Sequence, residues 1–241
     1  MFVRRMFSDW APPEPSGKVK FINATLKKLG FWVQLQPPLR TGVMTNVEQR
    51  MNMYHLLSQV LAYGVEGHVV ELGCNEGQSA CLMRRILNSD ETPREFHVYD
   101  SFEGLPAIAD KDGDTHYKEG QMAVAKELLL SNFASQNLEP PIIHEGWFDD
   151  TLPNELPGSI AFAHLDGDFY DSIKVSLEYV YPRLSKGAIC LIDDYADPDL
   201  HDGWNDLPGV KNACDEYLAD KPEAVELLYA GGMSHGYFRK K

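Results

Sequence analysis

The sequence predicts an α/β protein: a mostly parallel sheet with helices on both faces and an antiparallel last strand. Three observations predict it. Short apolar runs alternate with longer helical stretches along most of the chain. The runs are continuous and do not alternate with polar residues, which implies burial on both faces and hence a parallel sheet covered by helices. The last two runs are separated only by Ala230-Gly-Gly-Met, too short for anything but an antiparallel hairpin.

The elements follow in order. Residues 1–44 read as a basic N-terminal arm, irregular or partly helical, broken by Pro37-Pro38 and Gly42. The main domain spans 45–241. Asn46 is a plausible N-cap for a helix in which Val47, Met51, Tyr54, Leu57, Val60 and Leu61 recur at helical spacing, closed by Gly64. Then come the apolar run His68–Leu72 and a helix over 77–89; Phe96–Tyr99 and a helix over 120–137; Pro141–His144 and a turn. Ser159–Leu165 with a helix over 170–184 and Ala188–Ile192 with a helix over 208–219 complete the repeat. The hairpin runs are Ala224–Tyr229 and His235–Phe238.

Charge and composition narrow the function. The 241 residues carry a net charge of −14, yet residues 1–44 hold seven Lys/Arg against two acids, so the body is still more acidic. Such a body repels a phosphate backbone, which argues against nucleic-acid binding. No apolar run approaches the ~20 residues that span a bilayer, so no membrane partner is expected. Cys74, Cys81, Cys190 and Cys214 show no Cys-x-x-Cys or zinc spacing, and a reducing cytoplasm fits them best.

Ligands of open α/β sheets bind outside the C-terminal ends of the strands, and the chemistry-bearing residues fall there. After the first run comes Glu71-Leu-Gly73-Cys74-Asn75-Glu-Gly77-Gln-Ser79. The dinucleotide fingerprint wants glycines where Asn75 and Gln78 stand, whereas the spacing fits the glycine loop of S-adenosylmethionine methyltransferases with Asn75 in the middle position. Asn tolerates left-handed backbone, so the turn survives. The second run ends in Asp100-Ser101-Phe-Glu-Gly, an acid placed to accept ribose hydroxyls. The fourth delivers Asp166-Gly-Asp168-Phe-Tyr-Asp171 and the fifth Asp193-Asp194-Tyr195. If those strands are neighbours, at least four carboxylates share one cleft and must take up protons or a hard cation such as magnesium. Asp110-Lys-Asp112-Gly-Asp114 fails as a calcium loop, because Thr115 and Gln121 replace the required Gly and Glu. His164, inside an apolar strand, reads as a hydrogen-bonded core histidine and Lys174 as an exposed helix residue.

Taken together, Glu71-Leu-Gly-Cys-Asn-Glu-Gly, Asp100-Ser-Phe-Glu-Gly-Leu-Pro, Gly146-Trp147-Phe-Asp-Asp-Thr-Leu-Pro, Leu165-Asp-Gly-Asp-Phe-Tyr-Asp-Ser, Tyr181-Pro-Arg-Leu and Ile192-Asp-Asp-Tyr resemble, in this order, the macrocin O-methyltransferase family. That family includes enzymes methylating sugar hydroxyls of macrolide and aminocoumarin antibiotics. The resemblance covers roughly residues 45–239 and implies a seven-stranded Rossmann-like methyltransferase fold, S-adenosylmethionine, magnesium and a glycosylated small-molecule substrate. It also implies roles: Asp166, Asp193 and Asp194 as metal ligands and Asp168 as general base. Glu71, Gly73 and Ser79 would line the methionine side, Asp100 would hold the ribose, and Gly146-Trp147 would lie near the adenine. Cys74, Asn75, Gly77, Ser101 and Asp166 complete the implied cofactor-binding set. Two rivals stay open at this point: a metal-dependent nucleotide-sugar glycosyltransferase using Asp166-Gly-Asp168, and a non-catalytic subunit of the same fold. A homo-oligomer also stays open, as does the acceptor's identity.

Overall fold

The computed structural model describes residues 17–30, 44–200 and 205–241. Its centre is a seven-stranded sheet: β1 (His68–Leu72), β2 (Phe96–Asp100), β3 (Ile142–Glu145), β4 (Ile160–Leu165), β5 (Leu184–Asp193), β6 (Glu226–Ala230) and β7 (Met233–Arg239). The spatial order is β3-β2-β1-β4-β5-β7-β6. The first five strands are parallel, and β7 runs antiparallel between β5 and β6. The helices are α1 (Gly17–Lys28), α2 (Val47–Ala62), α3 (Gln78–Leu87), α4 (Lys126–Ser135), α5 (Phe148–Glu155), α6 (Tyr170–Val180) and α7 (Pro208–Leu218).

Central strands behave as their composition requires. Every residue of β4 is buried, as are Val69–Leu72 of β1 and Phe96–Tyr99 of β2. Two-sided burial fails at the edge: Ile142 of β3, the end strand of the sheet, is 45% exposed. The hairpin expected at the end of the chain forms with a two-residue turn, Gly231-Gly232, in which Gly231 adopts φ 66°.

Three local readings need correction. The α2 boundaries and its Asn46 cap hold, with a reciprocal capping box between Asn46 and Gln49, but its buried face is Gln49, Met53, Leu56, Leu57 and Val60, while Met51 is 54% exposed. Apolar residues nearly encircle this helix, so periodicity alone picks no face. The stripe that wins places Gln49 one turn before Met53, aimed at the strand ends. The second correction is α5, expected as a turn; Pro153 sits inside this eight-residue helix, where it forgoes one backbone bond but still follows the helical path. The third is the helix over 120–137, which shortens to α4, its first residues forming a loop over the strand ends.

Asp112, dismissed as a calcium ligand, is a structural cap. Only 1% exposed, it accepts the Tyr170 backbone N–H on Oδ1 (2.6 Å) and the Ala109 N–H on Oδ2 (2.8 Å), so its charge sits at the N-terminus of α6.

The arm's α1 carries Lys18, Lys20, Lys27 and Lys28 and buries none of its residues. The arm's remaining residues, 1–16 and 31–43, lie outside those described, as does 201–204 of the loop after β5.

Candidate active site

Strand order reverses between β1 and β4, and the crevice outside their C-terminal ends is where such sheets take ligands. A cavity of ≈ 1010 Å³ opens there. Its described lining includes nine carboxylates, among them Asp100, Asp166, Asp168, Asp193 and Asp194, and no Lys, Arg or His.

The glycine loop forms one wall. Gly73 follows β1 with φ 86°, and a Cβ there would stand 1.8 Å from the Asp166 carbonyl oxygen, so only glycine lets the ends of β1 and β4 approach this closely. Asn75 takes the left-handed conformation foreseen for it (φ 45°), and its amide donates to Met122 O at 2.8 Å. Asp100, at the end of β2, clamps the loop: Oδ2 accepts the N–H groups of Cys74 (2.9 Å) and Asn75 (2.8 Å), and Oδ1 accepts that of Phe102 (2.7 Å). The carboxylate therefore shapes the loop and also faces the cavity.

Of the other cofactor-binding candidates, Gly73, Asn75, Ser101, Gly146, Trp147 and Asp166 line the cavity. Cys74 and Ser79 are buried in the surrounding structure, and Gly77 precedes α3 against Leu129, whose side chain a Cβ would meet at 2.9 Å. Glu71 is fully buried and turned into the sheet, where its Oε1 accepts from His164 Nδ1 at 3.0 Å.

Strands β4 and β5 are neighbours, with Leu165 beside Ile192, so their acidic ends meet. Asp166, Asp168 and Asp194 each place a carboxylate oxygen within 4.8 Å of the others. Asp168 (φ 62°) and Asp194 (φ 59°) both hold left-handed backbone, a strain Asp tolerates better than most residues and one that concentrates at functional sites. Burial, then the charges of neighbouring aspartates, pushes the Asp166 and Asp194 carboxyls well above their ordinary range. The same causes, burial first and then Asp193 and Asp100, carry Asp168 up to about 7.

Asp193 is placed differently. Its Oδ1 accepts from Gln49 Nε2 (2.9 Å) and the Asp194 N–H (3.0 Å) and lies 3.1 Å from His235 Nε2; its Oδ2 lies 3.9 Å from His164 Nε2. Burial alone would raise this carboxyl, but His235, His164 and the Asp194 amide outweigh it and hold it below its ordinary value. Burial alone would lower His164, but Glu71 and Asp193 outweigh it and raise it. Asp193 is thus the paired, charged member of the set, and the three that repel one another face the cavity with it. Gln49 and His235 escaped the sequence reading: nothing local marks His235, and Gln49 was signalled only as a polar residue inside an apolar helix.

Hard oxygens gathered in this way, their carboxyls raised by burial and then by mutual repulsion, are a donor set suited to a magnesium-like cation and not to zinc. The loop beside them offers backbone and small side chains to a second, larger ligand.

The sequence pattern described as macrocin O-methyltransferase (TylF) matches residues 21–217. The chain belongs to the macrocin O-methyltransferase family. It is 37% identical over 181 residues to the 8-demethyl-8-(2,3-dimethoxy-alpha-L-rhamnosyl)-tetracenomycin-C 4'-O-methyltransferase of Streptomyces olivaceus, covering 71% of this chain and 69% of that protein. It is 32% identical over 200 residues to the demethyldecarbamoylnovobiocin O-methyltransferase of Streptomyces niveus, covering 79% and 73%. Among solved structures, the O-methyltransferase NovP superposes with a TM-score of 0.69 at 28% identity, over 86% of this chain and 85% of that one. Membership in the macrocin O-methyltransferase family settles the fold and makes the chain an O-methyltransferase, which removes the glycosyltransferase and non-catalytic readings. Among the described residues, no helix is long and apolar enough to cross a membrane.

Proposed function

We propose that this O-methyltransferase uses S-adenosylmethionine and a divalent cation to methylate a sugar hydroxyl of a glycosylated small molecule. The observation that carries the reading is the placement of Asp166, Asp168 and Asp194 in the same cavity as the Gly73–Gly77 loop and Asp100. The rhamnosyl group in the substrate of the Streptomyces olivaceus relative supports a sugar acceptor.

Both absent groups fit the residues present. Gly73 has no room for a side chain, so backbone faces the cavity at the β1 end. Trp147 and Ser101 line the same space, and Asp100 could take ribose hydroxyls with lone pairs left over from its three backbone bonds. Asp166 and Asp194, with Asp193 beside them, would hold the cation. When bound, S-adenosylmethionine supplies a methyl group already activated by its sulfonium, and the cation supplies positive charge against which an alkoxide is less costly.

The chain's own task is alignment and proton transfer. The cavity walls hold donor and acceptor in line, converting a bimolecular encounter into a positioned one. Asp168 accepts the hydroxyl proton as the acceptor O–C bond forms and the donor C–S bond breaks; its carboxyl lines the cavity within 4.8 Å of those of Asp166 and Asp194, and its burial favours taking up a proton. Gln49, His235 and His164 keep Asp193 ionised and fixed, so the charge of the set is not lost to protonation.

The test is methyl transfer from S-adenosylmethionine to glycosylated and sugar-free forms of one acceptor, with chelator and with magnesium restored. Transfer to the glycosylated form alone, abolished by chelator and recovered with magnesium, supports the reading. Full turnover after exhaustive chelation overturns the cation's part, and transfer to the sugar-free form overturns the acceptor's.

A further inference from the structure

A second cluster of ligating side chains lies away from the cavity, toward the N-terminal ends of β1 and β2. We propose that His68, Glu95 and His97 bind a divalent transition-metal ion of the zinc type, at a site separate from the acidic cluster.

One ligand atom from each of the three residues lies within 4.8 Å of the others. Glu95 Oε2 is the common point, 3.2 Å from His97 Nε2 and 3.7 Å from His68 Nδ1. His68 is half-buried and Glu95 exposed, so both have freedom to close on an ion; His97 is buried and provides the fixed corner. Bound at ~2.1 Å in a tetrahedral arrangement, ligand atoms stand roughly 3.4 Å apart, so the 3.2 Å pair opens slightly and the 3.7 Å pair closes.

Counting protons indicates why a cation belongs there. His97 Nδ1 meets His144 Nε2 at 3.0 Å, and His144 Nδ1 meets a Glu155 carboxylate oxygen. With the Glu95 contact this makes a chain of three contacts, Glu95 to His97 to His144 to Glu155, spanned by two imidazoles. Two neutral imidazoles carry two N–H groups between them, and three contacts need three. If His144 donates to Glu155 and His97 donates to His144, the bare lone pair of His97 Nε2 faces a carboxylate. A further proton or a metal ion must stand between them.

The surroundings orient these ligands. His97 lies near-parallel to His144 at 5.3 Å between ring centres, the spacing of their in-plane hydrogen bond, and His144 stacks on Tyr99 at 4.3 Å. The Tyr99 hydroxyl donates to Glu155 O at 2.8 Å, closing the support around the pair. An imidazole whose far nitrogen donates to a fixed acceptor is the usual backing of a metal ligand. His68 Nδ1 accepts the Glu95 N–H at 3.1 Å, so its lone pair faces the cluster and its proton sits on the other nitrogen. Metal binding would trade that bond and release the amide to water. Two imidazoles and one carboxylate suit zinc, nickel or cobalt and disfavour magnesium.

The experiment is calorimetric titration of the chelator-stripped, full-length protein with Zn2+. The wild type and Asp194→Asn should share one equivalent of Zn2+ that His68→Gln and His97→Gln each lose or bind at least about tenfold more weakly. His68→Gln, at a half-exposed position, should keep the fold and full methyl transfer, so it decides the matter even if His97→Gln proves unstable. Unchanged zinc stoichiometry and affinity in His68→Gln overturns the site, as does a wild type that takes up no Zn2+, or an equivalent lost in Asp194→Asn instead.

Discussion

Asp168→Asn should make the folded protein more stable, and by an amount that grows with pH. Burial and the charges of Asp193 and Asp100 carry the Asp168 carboxyl from its ordinary 3.8 to about 7. A folded-state pKa above the unfolded one means that the folded chain holds the proton more tightly. Its contribution is therefore fully present below 3.8 and lost as pH rises through about 7. At ~1.4 kcal/mol for each pH unit between those values, the raised carboxyl costs the folded chain about 4 kcal/mol by pH 8 and about 2 kcal/mol at pH 5. Asn keeps the shape, tolerates the left-handed backbone at φ 62° and carries no charge. The variant should thus exceed the wild type by about 2 to 3 kcal/mol more at pH 8 than at pH 5. Relief of Asp166 and Asp194, which Asp168 also pushes up, acts in the same direction. Urea denaturation in chelator, with both proteins at pH 5, 6.5 and 8, reads this difference directly, and saturating magnesium should erase it. A difference below ~1 kcal/mol between the two ends, or one of opposite sign at equal m-values, would refute the electrostatic reading of the cluster.

The other expectations are more local. Asp168→Asn should bind S-adenosylmethionine nearly as the wild type does while methyl transfer falls ~10²-fold or more, measured by single-turnover kinetics. Asp100→Ala removes the acceptor of three backbone N–H groups, so affinity for S-adenosylmethionine should drop at least about tenfold in calorimetry. Gly73→Ala drives a methyl group into the Asp166 carbonyl and should abolish soluble folding or lower Tm sharply in thermal unfolding. A nucleotide-linked sugar should compete with a glycosylated acceptor far more weakly than the matching uncharged glycoside, since nine carboxylates line the cavity.

Much of this was legible in the sequence because it is carried by local signals. Continuous apolar runs marked β1, β2, β4 and β5, and the Ala230–Met233 link forced the terminal hairpin. Acids immediately after those runs had to emerge at the strand ends, so Asp100, Asp166, Asp168, Asp193 and Asp194 were all nameable in advance. What stayed hidden depends on contacts between distant residues. The buried face of α2 is decided by Gln49 reaching Asp193, 144 positions away. The helix α5 hides behind Pro153, whose local preference is overridden by the packing of Thr151 and Leu152. His235 has no motif around it; only the antiparallel register that sets it beside Asp193 reveals its partner. The ladder of His68, His97 and His144 is invisible for the same reason, since those residues meet across three strands.

The adjacent residues Asp193 and Asp194 show how one dipeptide can supply two kinds of charge. Asp193 continues the strand, so its side chain points back among His164, His235 and Gln49, where two imidazoles and two N–H donors keep it ionised. Asp194 turns through a left-handed backbone, with its N–H bonded to Ser234 O at 3.1 Å, and this bend directs its carboxylate to Asp166 and Asp168 instead. A cation drawn to the three raised carboxyls would also meet Asp193 beside them, a carboxyl held below its ordinary value. The histidines that hold that charge are fully buried and have little reach to the cavity. Replacing either by an apolar residue would therefore act on the proposed cation through Asp193, and leave Asp168, the proposed proton acceptor, in place.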